Sequence, residues 1–526
     1  MPGRNLRFFI SIAVFLIFTL VFLKNAWVSE DACITFRCVE QVFDGNGPRW
    51  NPHERVQAFT SPLWFWMLVV LRFFSDNLFT ASILLSAAFC LAMLAALRFT
   101  VPSIYHWAAL AGLMMTSNGF FDFTSSGLEN PAAYLLLSVY LYLYFRIFND
   151  PQRQPERYLA AITAVSGMML VCRHDLLTLI LIPTAYVLYS YRETQGPRQW
   201  TLLAVLGLAP LTAWSLFAFI YYGTPFPNTA YAKLAAGVPR FKLFNQGINY
   251  MLVSFRYDFA TFAVIPAGIC FAMLCGRKHI RVLCPAILLN LLYVTYIGGD
   301  FMQGRFLSFS FLIAATALVS AWRNPVSYAR ILSPAVFVLI AGYSLLYTHT
   351  PVNTPLDFGG EKIVMGVADE RSHYFRTCSL WRYLNKDDSD IFPTHRYMKE
   401  GLRFSRSDKC CIVKNVVGMF GYGAGVDKII IDPLGITDPL LARLPIPEDT
   451  HWRTGHFERE IPEGYIESVV TGENRMKNPA LKLFYEKLRT VTQSRKLFSA
   501  DRFKTILCLN LGRYRRPDPD PATTED

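Results

Sequence analysis

Charged residues are scarce in this chain. Aspartate, glutamate, lysine and arginine make up 17% of its 526 residues, against roughly 25% in an average soluble protein. Hydrophobic residues make up 53% and aromatic residues 15%, and the mean hydropathy is +0.28. A soluble fold of this size has no means of burying that much apolar surface. The composition therefore excludes an ordinary water-soluble protein and predicts a chain that spans a lipid bilayer.

Two further classes are disfavoured by what the sequence lacks. The eleven cysteines are scattered, without the paired spacing of a zinc site. The formal net charge of +12 is not concentrated in a nucleic-acid-binding patch, because the basic residues cluster in short loops between apolar segments. Lysine and arginine in such loops set membrane orientation. We therefore expect a lipid bilayer and no nucleic acid among the partners.

Twelve apolar segments are candidates for membrane-spanning helices, which need roughly 20 residues each. The stronger candidates are residues 8–23, 78–97, 199–222, 282–298, 306–322 and 331–347. The weaker ones are residues 61–71, 104–117, 131–145, 158–172, 176–191 and 259–275. Residues 61–71 and 104–117 are both short, and we expect one of them to be re-entrant or to lie along the interface. This leaves eleven crossings.

Basic loops give an orientation for these crossings. Arg4 and Arg7 precede the first apolar run, which is typical of an uncleaved signal anchor with its start in the cytoplasm. The basic loops 146–157, 192–198, 276–281 and 323–330 are then cytoplasmic. The loops 24–60, 173–175, 223–258 and 298–305 alternate with them and are predicted to lie outside. The chain from about residue 348 onward is predicted to lie outside as well.

The composition changes after residue 348, where charged residues, glycine and proline become frequent. We predict a transmembrane domain over residues 1–348, whose outer loop 24–60 carries an acidic motif. Residues 349–512 are predicted to form a soluble α/β domain, with a strand over 428–431 and a helix over 479–491. The tail 513–526, rich in proline and charge, is predicted to be disordered.

The outward loops carry ionisable residues that could do chemistry. Glu30 and Asp31 follow the first span directly, and an acidic pair at a membrane surface is costly unless it has a role. The other loops add carboxylates, cations and an amide: Glu129, the Arg173-His174-Asp175 run, Asn228, Lys233, Asp300 and Arg305. Each alone is also explained by a solvated or salt-bridged helix end. Together they supply the groups that activate a hydroxyl and stabilise a phosphate leaving group.

Two other functions use similar residues. Charges within a membrane also mark the substrate path of a transporter. Transporters, however, favour inverted repeats, and no internal repeat is visible in this sequence. A flippase for lipid-linked glycans would share the lipid-phosphate substrate. A transporter or flippase is therefore the alternative to an enzyme.

Six stretches of the sequence resemble motifs of one enzyme family. Residues 30–37 (EDACITFR) resemble its DDAYI-(S/T)-x-R signature, and residues 45–56 (GNGPRWNPHERV) its G-x-G-x-x-W-N-P-x-E-R-V continuation. The other four are 126–129 (SGLE), 298–306 (GGDFMQGRF), 431–439 (IDPLGITDP) and 452–457 (WRTGHF). The family is the GT-C glycosyltransferase branch of the terminal β-(1→2) arabinofuranosyltransferase of mycobacterial cell walls, with relatives that act on pilins. Glu30 and Cys33 depart from the usual aspartate and tyrosine.

The resemblance implies a GT-C fold of about eleven transmembrane helices with a C-terminal periplasmic α/β domain. It implies a bacterial inner-membrane enzyme whose active site is periplasmic. The donor would be arabinofuranose on a polyprenyl phosphate, and the acceptor a periplasmic glycan or a surface protein such as a pilin. The absence of a glycine-rich nucleotide loop fits such a donor. No cofactor is required, and a divalent metal is left open.

The resemblance also implies roles for residues in a single inverting displacement. Asp31 is expected to act as general base, with Glu30 beside it. Arg305, together with Arg173, His174 and Lys233, is expected to stabilise the donor phosphate. The residues expected to bind the substrates are Glu129, Asn228, Asp300, Arg453 and His456.

Overall fold

The computed structural model describes residues 2–149, 155–323, 327–360, 363–387, 391–448 and 450–514. Residues 515–526 of the predicted disordered tail lie outside this part. The chain divides into two compact units. Unit 1 contains residues 1–29, 77–211 and 241–387, and unit 2 contains residues 30–76, 212–240 and 388–526.

Unit 1 is built mainly of apolar helices. Its longer helices are Pro2–Asn25, Leu78–Thr100, Ile104–Thr116, Asn130–Asn149, Pro155–Cys172, Leu177–Ser190, Phe259–Cys275, Leu283–Tyr296, Ser308–Ser320 and Ser327–Tyr347. Two more, Pro197–Tyr221 and Arg240–Tyr257, have residues in both units. The shorter elements are the helices Asn118–Phe121, Lys278–Arg281, Glu370–Cys378 and Leu380–Leu384 and the antiparallel strands Ile363–Val364 and Val367–Ala368.

Within the described residues, six helices are long and apolar enough to cross a membrane. They are Arg4–Asn25, Leu78–Thr100, Asn130–Asn149, Pro197–Tyr221, Lys278–Tyr296 and Ala329–Tyr347. A pair of helices, Arg240–Tyr257 and Phe259–Cys275, bends by 106° at Asp258 and would make a seventh span if it crosses as one. The prediction of a multi-pass membrane protein is therefore confirmed, whereas the count of eleven crossings stays a prediction.

The helices of unit 1 differ in how much they face their neighbours. The Asn130–Asn149 helix is 67% buried and packs on Leu78–Thr100. Pro197–Tyr221 is only 17% buried, and apolar side chains such as Leu202 and Val205 are exposed along it, as lipid-facing residues are. Small residues allow close packing elsewhere. A Cβ at Gly268 would lie 2.3 Å from the carbonyl oxygen of Ala314, so glycine lets these two helices approach.

Unit 2 is smaller and mixes helices with one pair of parallel strands. The strands are Cys411–Val413 and Ile429–Ile431. The helices are Glu30–Phe43, Pro62–Arg72, Asn228–Leu234, Arg396–Ser405, Gly418–Ala424, Tyr465–Thr471, Pro479–Thr492 and Ala500–Asn510. Ile431, Leu440, Tyr465, Phe484 and Leu488 form its hydrophobic core. The strand and the helix predicted at 428–431 and 479–491 are both present. Asn478 caps the latter helix, and proline occupies its first turn, where it is tolerated.

The units do not follow the predicted boundary at residue 348. Residues 349–387 group with the spans in unit 1, whereas residues 30–76 and 212–240 group with the C-terminal part in unit 2. The grouping has a physical cause in unit 2, because Asn51 and Arg55 of the loop after the first span are hydrogen-bonded to the backbone of Ile430, Val491 and Thr492.

The outward orientation of the C-terminal residues stays a prediction with a direct test. A reporter enzyme that is active only outside the cytoplasm, fused after residue 526, should be active. The reason is that the basic loops are expected on the cytoplasmic side, which leaves the C-terminal residues on the opposite side. The same reporter placed between residues 276 and 281 is the matched control and should be inactive. Activity of a cytoplasm-only reporter at residue 526 would contradict the orientation.

Candidate active site

A cluster of buried charges in unit 1 is centred on Glu129, which lies immediately before the Asn130–Asn149 helix. Its Oε1 accepts a hydrogen bond of 2.6 Å from Nη1 of Arg173 and one of 2.9 Å from Nη2 of Arg305. Glu129, Arg173 and Arg305 are 4%, 7% and 9% exposed. Burial alone would raise the pKa of Glu129, but the charges of Arg305 and Arg173 overcome this and hold it below its ordinary value. Glu129 is therefore ionised and joins the two guanidinium groups.

Arg173 is fixed by further contacts. Its Nε and Nη2 donate to the two carboxylate oxygens of Asp175 at 3.0 and 2.8 Å. The guanidinium carbon lies 5.0 Å from the ring centre of Phe306 and 5.2 Å from that of Phe309. Such a two-pronged ion pair combined with aromatic contacts is typical of arginine in a buried site. Arg173 therefore has little freedom to turn.

Arg305 is fixed in a similar way. Its Nε donates to Oδ1 of Asn130 at 3.3 Å, and its Nη1 donates to the sulfur of Met302 at 3.4 Å. Oδ2 of Asp300 lies 3.9 Å from the same Nη1. Asp300 is 3% exposed, and its Oδ2 has no hydrogen-bond partner among the described residues. That oxygen is therefore suited to accept a hydrogen bond from a bound molecule.

The loop that carries Asp300 and Arg305 has a shape that requires glycine. Gly299 has a φ of +70°, and a Cβ there would lie 2.4 Å from the ring of Tyr250. Gly304 also has a φ of +70°, and a Cβ there would lie 2.6 Å from Cα of Gly119. Only glycine adopts this conformation at such close approach. The glycines of the GGDFMQGRF stretch therefore place Arg305 next to Glu129.

Unit 1 thus brings together four of the predicted site residues: Glu129, Arg173, Asp300 and Arg305. His174 follows Arg173 at the start of a 3-10 turn and is half-buried. Asn130 and Asp175 complete the cluster. Asp175 is one of the ionisable residues noted in the sequence, but neither residue was assigned a role, and their adjacency to Glu129 and Arg173 was the only signal.

The acidic pair lies in unit 2, in the first turn of the Glu30–Phe43 helix. Glu30 is 8% exposed, and its Oε1 accepts a hydrogen bond of 3.0 Å from the backbone N–H of Met419. A Cβ at Gly418 would lie 2.1 Å from the carbonyl oxygen of Glu30, so glycine permits this approach. Asp31 is half-buried. Burial and then the charge of Asp31 raise the pKa of Glu30 to about 8, so Glu30 is protonated at neutral pH.

Other motif residues of the first loop hold the backbone of unit 2. Arg37 donates to the carbonyl oxygens of Gly421 and Lys428 at 3.3 and 2.5 Å and lies 4.4 Å over the ring of Trp50. Asn51 donates to the carbonyl of Ile430 at 3.1 Å and accepts from its N–H at 3.0 Å. The side chain of Asn51 thereby satisfies both backbone groups of Ile430 in the Ile429–Ile431 strand. The W-N-P stretch and the arginine of the first signature therefore stabilise the fold.

The IDPLGITDP stretch forms a tight loop around two buried carboxylates. Asp432 accepts hydrogen bonds from the N–H groups of Leu434 and Thr437 at 2.9 and 2.8 Å. Asp438 accepts from the N–H groups of Leu440 and Leu441 at 3.0 and 2.9 Å. Self-capping of this kind by aspartate is common in turns. The two aspartates therefore fix the loop.

Two side chains outside this loop hold it in place. The amide of Asn228 donates to the carbonyl oxygens of Gly435, Ile436 and Asp438 at 2.9, 3.2 and 3.0 Å. Arg459, which the sequence did not single out, is 3% exposed and donates to backbone carbonyls at Leu434, Leu444, Phe457 and Ala232. The contacts of Asn228 are those of a residue that supports the loop. Its substrate-binding role stays a prediction.

Two predicted substrate-binding residues of unit 2, Arg453 and His456, are in contact. Nη2 of Arg453 lies 2.9 Å from Nε2 of His456. Burial, with the charges of Arg453 and Lys233, lowers the pKa of His456 to about 3, so this imidazole is neutral. Because a guanidinium only donates, Nε2 of His456 accepts that hydrogen bond. Lys233 is exposed. Arg453 and Lys233 therefore supply positive charge, whereas His456 does not.

A pH-dependent stability is expected from two buried acids of unit 2. Burial and then the charge of Glu54 raise the pKa of Asp438 to about 8, and burial raises the pKa of Glu54 to about 7. Their ordinary values are 3.8 and 4.5. The protonated forms therefore favour the fold, and their stabilising contribution is lost as pH rises through about 7 to 8.

We expect hydrogen exchange of the Ile429–Ile431 strand, corrected for the intrinsic rate, to accelerate between about pH 6 and about pH 9. Glu54→Gln should reduce this acceleration, because it removes one of the two ionisations. Glu458→Gln, at an exposed glutamate, is the control and should behave as the wild type. Equal protection of the strand at both ends of the range would contradict the prediction.

A metal site is not indicated in the part of the chain that the structure describes. No group of three histidine, cysteine, aspartate or glutamate residues there is arranged to hold a metal ion.

The fold defines the class of this protein as a multi-pass membrane protein with a cluster of buried charges next to its spans. The chain is similar in sequence to two arabinofuranosyltransferases. The terminal beta-(1->2)-arabinofuranosyltransferase of Mycobacterium tuberculosis is 24% identical, over 84% of this chain and 82% of that protein. The protein of the same name from Corynebacterium glutamicum is 26% identical, over 53% of this chain and 46% of that one. These relatives confirm the resemblance read from the motifs.

Two other comparisons add less. No family model matches the chain. Among solved structures, the Archaeoglobus fulgidus oligosaccharyltransferase aligns with a TM-score of 0.44 at 13% identity, covering 82% of this chain and 65% of that one.

Proposed function

We propose that this protein is a membrane glycosyltransferase. It moves an arabinofuranosyl unit from a polyprenyl-phosphate donor to a hydroxyl of a cell-envelope glycan or of a surface protein such as a pilin. The observation that carries the proposal is the pair of buried arginines, Arg173 and Arg305, held on Glu129. The names of the two curated relatives support arabinofuranose as the sugar.

The two arginines act on the leaving phosphate. A guanidinium has five N–H groups, and the contacts described above engage three of them on each arginine. By this count each keeps two donors for phosphate oxygens. Because Glu129, Asp175 and Asn130 already hold the guanidinium groups, little reorganisation is needed when charge develops. A preorganised donor of this kind contributes roughly 10²–10³-fold to a rate.

Asp31 acts as the general base. Glu30 is protonated at neutral pH because of its raised pKa, so Asp31 is the member of the pair that accepts a proton. The acceptor hydroxyl gives its proton to Asp31 while its oxygen bonds to the anomeric carbon. The bond from that carbon to the phosphate oxygen breaks, and its electron pair leaves on the polyprenyl phosphate. This single displacement inverts the anomeric centre.

The remaining predicted residues bind the substrates. Oδ2 of Asp300, which has no hydrogen-bond partner among the described residues, accepts a hydrogen bond from a sugar hydroxyl. Lys233 is a further cation for the donor phosphate, and His174, whose pKa is lowered by burial, offers it a neutral N–H donor. Arg453 contacts the acceptor, with His456 as a neutral partner. The enzyme works at the outer face of the bacterial inner membrane, where lipid-linked sugars meet envelope acceptors.

The proposal is tested in cells by the composition of envelope glycans and pili with and without the gene. Loss of a terminal arabinofuranose, restored by the wild-type gene and not by an Asp31→Asn gene at equal protein level, supports the enzyme. An unchanged composition would count against it. A transporter or flippase would also alter the glycans, and the measurement at the end of the Discussion separates these cases.

A further inference from the structure

Unit 1 contains a polar cavity of about 170 Å³ that none of the cluster residues Glu129, Arg173 and Arg305 lines. It lies among the ends of several helices and the segment that follows the last span. The side chains that give it its polar character are Asn118, Asp122, Arg256, Gln303, Asp369 and Arg371.

Arg371 is the most buried of these residues, at 2% exposure. Its Nε lies 2.8 Å from Oδ1 of Asp122, and it also donates to the side chain of Asn25. The guanidinium lies over the rings of Phe358 and Phe375 at 4.9 and 5.3 Å. A buried charge is costly and weak evidence for stability. Asp122, Asn25 and the two rings hold this charged hydrogen-bond donor in the cavity wall.

The wall carries groups of both charge signs, which bears on the class of ligand. Arg256 and Arg371 face Asp122 and Asp369, and burial raises the pKa of Asp122 to about 7, so this wall offers both hydrogen-bond donors and acceptors, as a hydroxyl-rich ligand requires. The side chain of Asn118 donates to the carbonyls of Tyr257 and His349 at 3.2 and 2.7 Å. Its Oδ1 is buried without a hydrogen-bond partner among the described residues. An acceptor of this kind suits a hydroxyl donor.

The aromatic rings in the wall and the volume of the cavity narrow the class of ligand further. Tyr257, Tyr347 and Phe358 also line the cavity, and their faces suit the C–H face of a sugar ring, which is apolar beside its hydroxyls. The volume is below the roughly 300–1,000 Å³ of pockets for drug-sized ligands. One sugar residue matches this size and mixture of groups, whereas a lipid tail would leave polar wall atoms such as Oδ1 of Asn118 without a hydrogen-bond partner.

The cavity shares two loops with the charged cluster. Asp122 directly precedes Phe123, whose ring centre lies 5.9 Å from the guanidinium carbon of Arg305. Gln303 is two residues before Arg305, and its N–H donates to the carbonyl of Ala368 at 3.0 Å. A ligand in the cavity would therefore touch the same loops that position Arg305.

We propose that this cavity is a carbohydrate subsite that holds one neutral sugar residue. The proposal rests on the proposed function and deepens it. This sugar residue belongs either to the acceptor glycan or to the donor, and separate KM values for acceptor and donor distinguish the two.

The test uses the full-length protein in detergent and three variants. Arg256→Gln and Gln303→Ala change the wall at positions that are not fully buried, so folding is expected to survive. Arg376→Gln is the matched control, because this arginine is exposed on the neighbouring Glu370–Cys378 helix and does not line the cavity. The KM for acceptor and the KM for donor are measured separately.

We expect both wall variants to raise one KM about tenfold, which is at the upper end for the loss of a neutral hydrogen bond and ordinary for a charged one, with Arg376→Gln unchanged. If only the KM for acceptor rises, the bound sugar residue belongs to the acceptor. If only the KM for donor rises, it belongs to the donor. Unchanged KM values in both wall variants, with an active wild type, would overturn the subsite and leave the proposed function intact.

A second measurement does not depend on turnover. Saturation-transfer NMR with methyl α-D-arabinofuranoside and methyl α-D-mannopyranoside should show transfer to at least one of them, reduced in both wall variants and retained in Arg376→Gln. If the wild type transfers no sugar, the proposed function fails while this measurement still decides the subsite. The absence of any signal, or equal signals from all variants, overturns the subsite.

Discussion

Asp31→Asn is expected to lower kcat by roughly 10²–10⁴-fold, the usual effect of removing a positioned general base. Asparagine keeps the size and polarity of the side chain in the first helical turn but does not accept a proton. Expression and thermal stability should stay near those of the wild type, because Asp31 is only half-buried. Activity within a few-fold of the wild type would move the base to Glu30, Glu129 or Asp300.

Glu30→Gln is the matched control for this variant. The raised pKa of Glu30, about 8, makes it a neutral acid at neutral pH, and glutamine has the same size and no charge. Glutamine also keeps an oxygen to accept the hydrogen bond from Met419. We therefore expect kcat near pH 7 to fall much less than in Asp31→Asn. An equal loss in both variants would contradict the assignment of the proton to Asp31.

Arg305→Met is expected to lower kcat by roughly 10²–10³-fold, because it removes a preorganised donor from the leaving phosphate. Glu129 would keep its 2.6 Å hydrogen bond from Arg173, so the buried carboxylate is not left without a cation. Arg305→Lys should be intermediate, since it restores the charge without the planar fork. The measurement is single-turnover transfer together with thermal unfolding of each variant.

Arg192→Met is the control for Arg305, because Arg192 is exposed and its described contacts are with Glu193 and Tyr189, which are exposed as well. It should retain the wild-type rate. The affinity for polyprenyl phosphate itself gives a second readout and should fall in Arg305→Met. Wild-type rates in Arg305→Met would show that the cluster does not act on the phosphate.

The spans were the most predictable part of the fold. A helix in lipid must be apolar over its whole length, so hydropathy alone indicates where it lies, and each predicted apolar segment is helical in the structure. The number of membrane crossings was harder to predict. Helices such as Pro62–Arg72 are too short to cross by length alone, and sequence does not say whether a short helix crosses or turns back.

The charged cluster was partly predictable for a similar reason. Charges such as Arg173 and Arg305 stand out at the ends of apolar segments, where they are costly. Their common partner was not predictable, because Glu129 is separated from Arg305 by 176 positions and no local pattern indicates the contact. It was equally hard to predict which motif residues belong to the site and which ones support the fold. Asn51 and Asn228 resemble site residues in sequence, yet their amides bond to backbone groups near residues 430 and 436.

These contacts also change how the C-terminal part should be tested. Deleting residues 351–526 would remove residues that group with unit 1. It would also leave buried groups such as Arg37 and Asn51 without their backbone partners, at a cost of about 1–3 kcal/mol for each unsatisfied group. Loss of activity after that deletion would follow from misfolding as well as from loss of an acceptor site. Point variants such as Arg453→Gln are the better probe.

The central claim is sugar transfer from a polyprenyl phosphate, and its most direct measurement is the stoichiometry of that reaction. Purified protein in liposomes is given synthetic polyprenyl-phosphate arabinofuranose and an arabinan oligosaccharide, and both products are quantified. We predict one free polyprenyl phosphate for each arabinofuranosyl unit added, and formation of both products slowed by roughly 10²–10⁴-fold with Asp31→Asn. Intact donor that crosses the bilayer without either product would contradict the claim and favour a flippase.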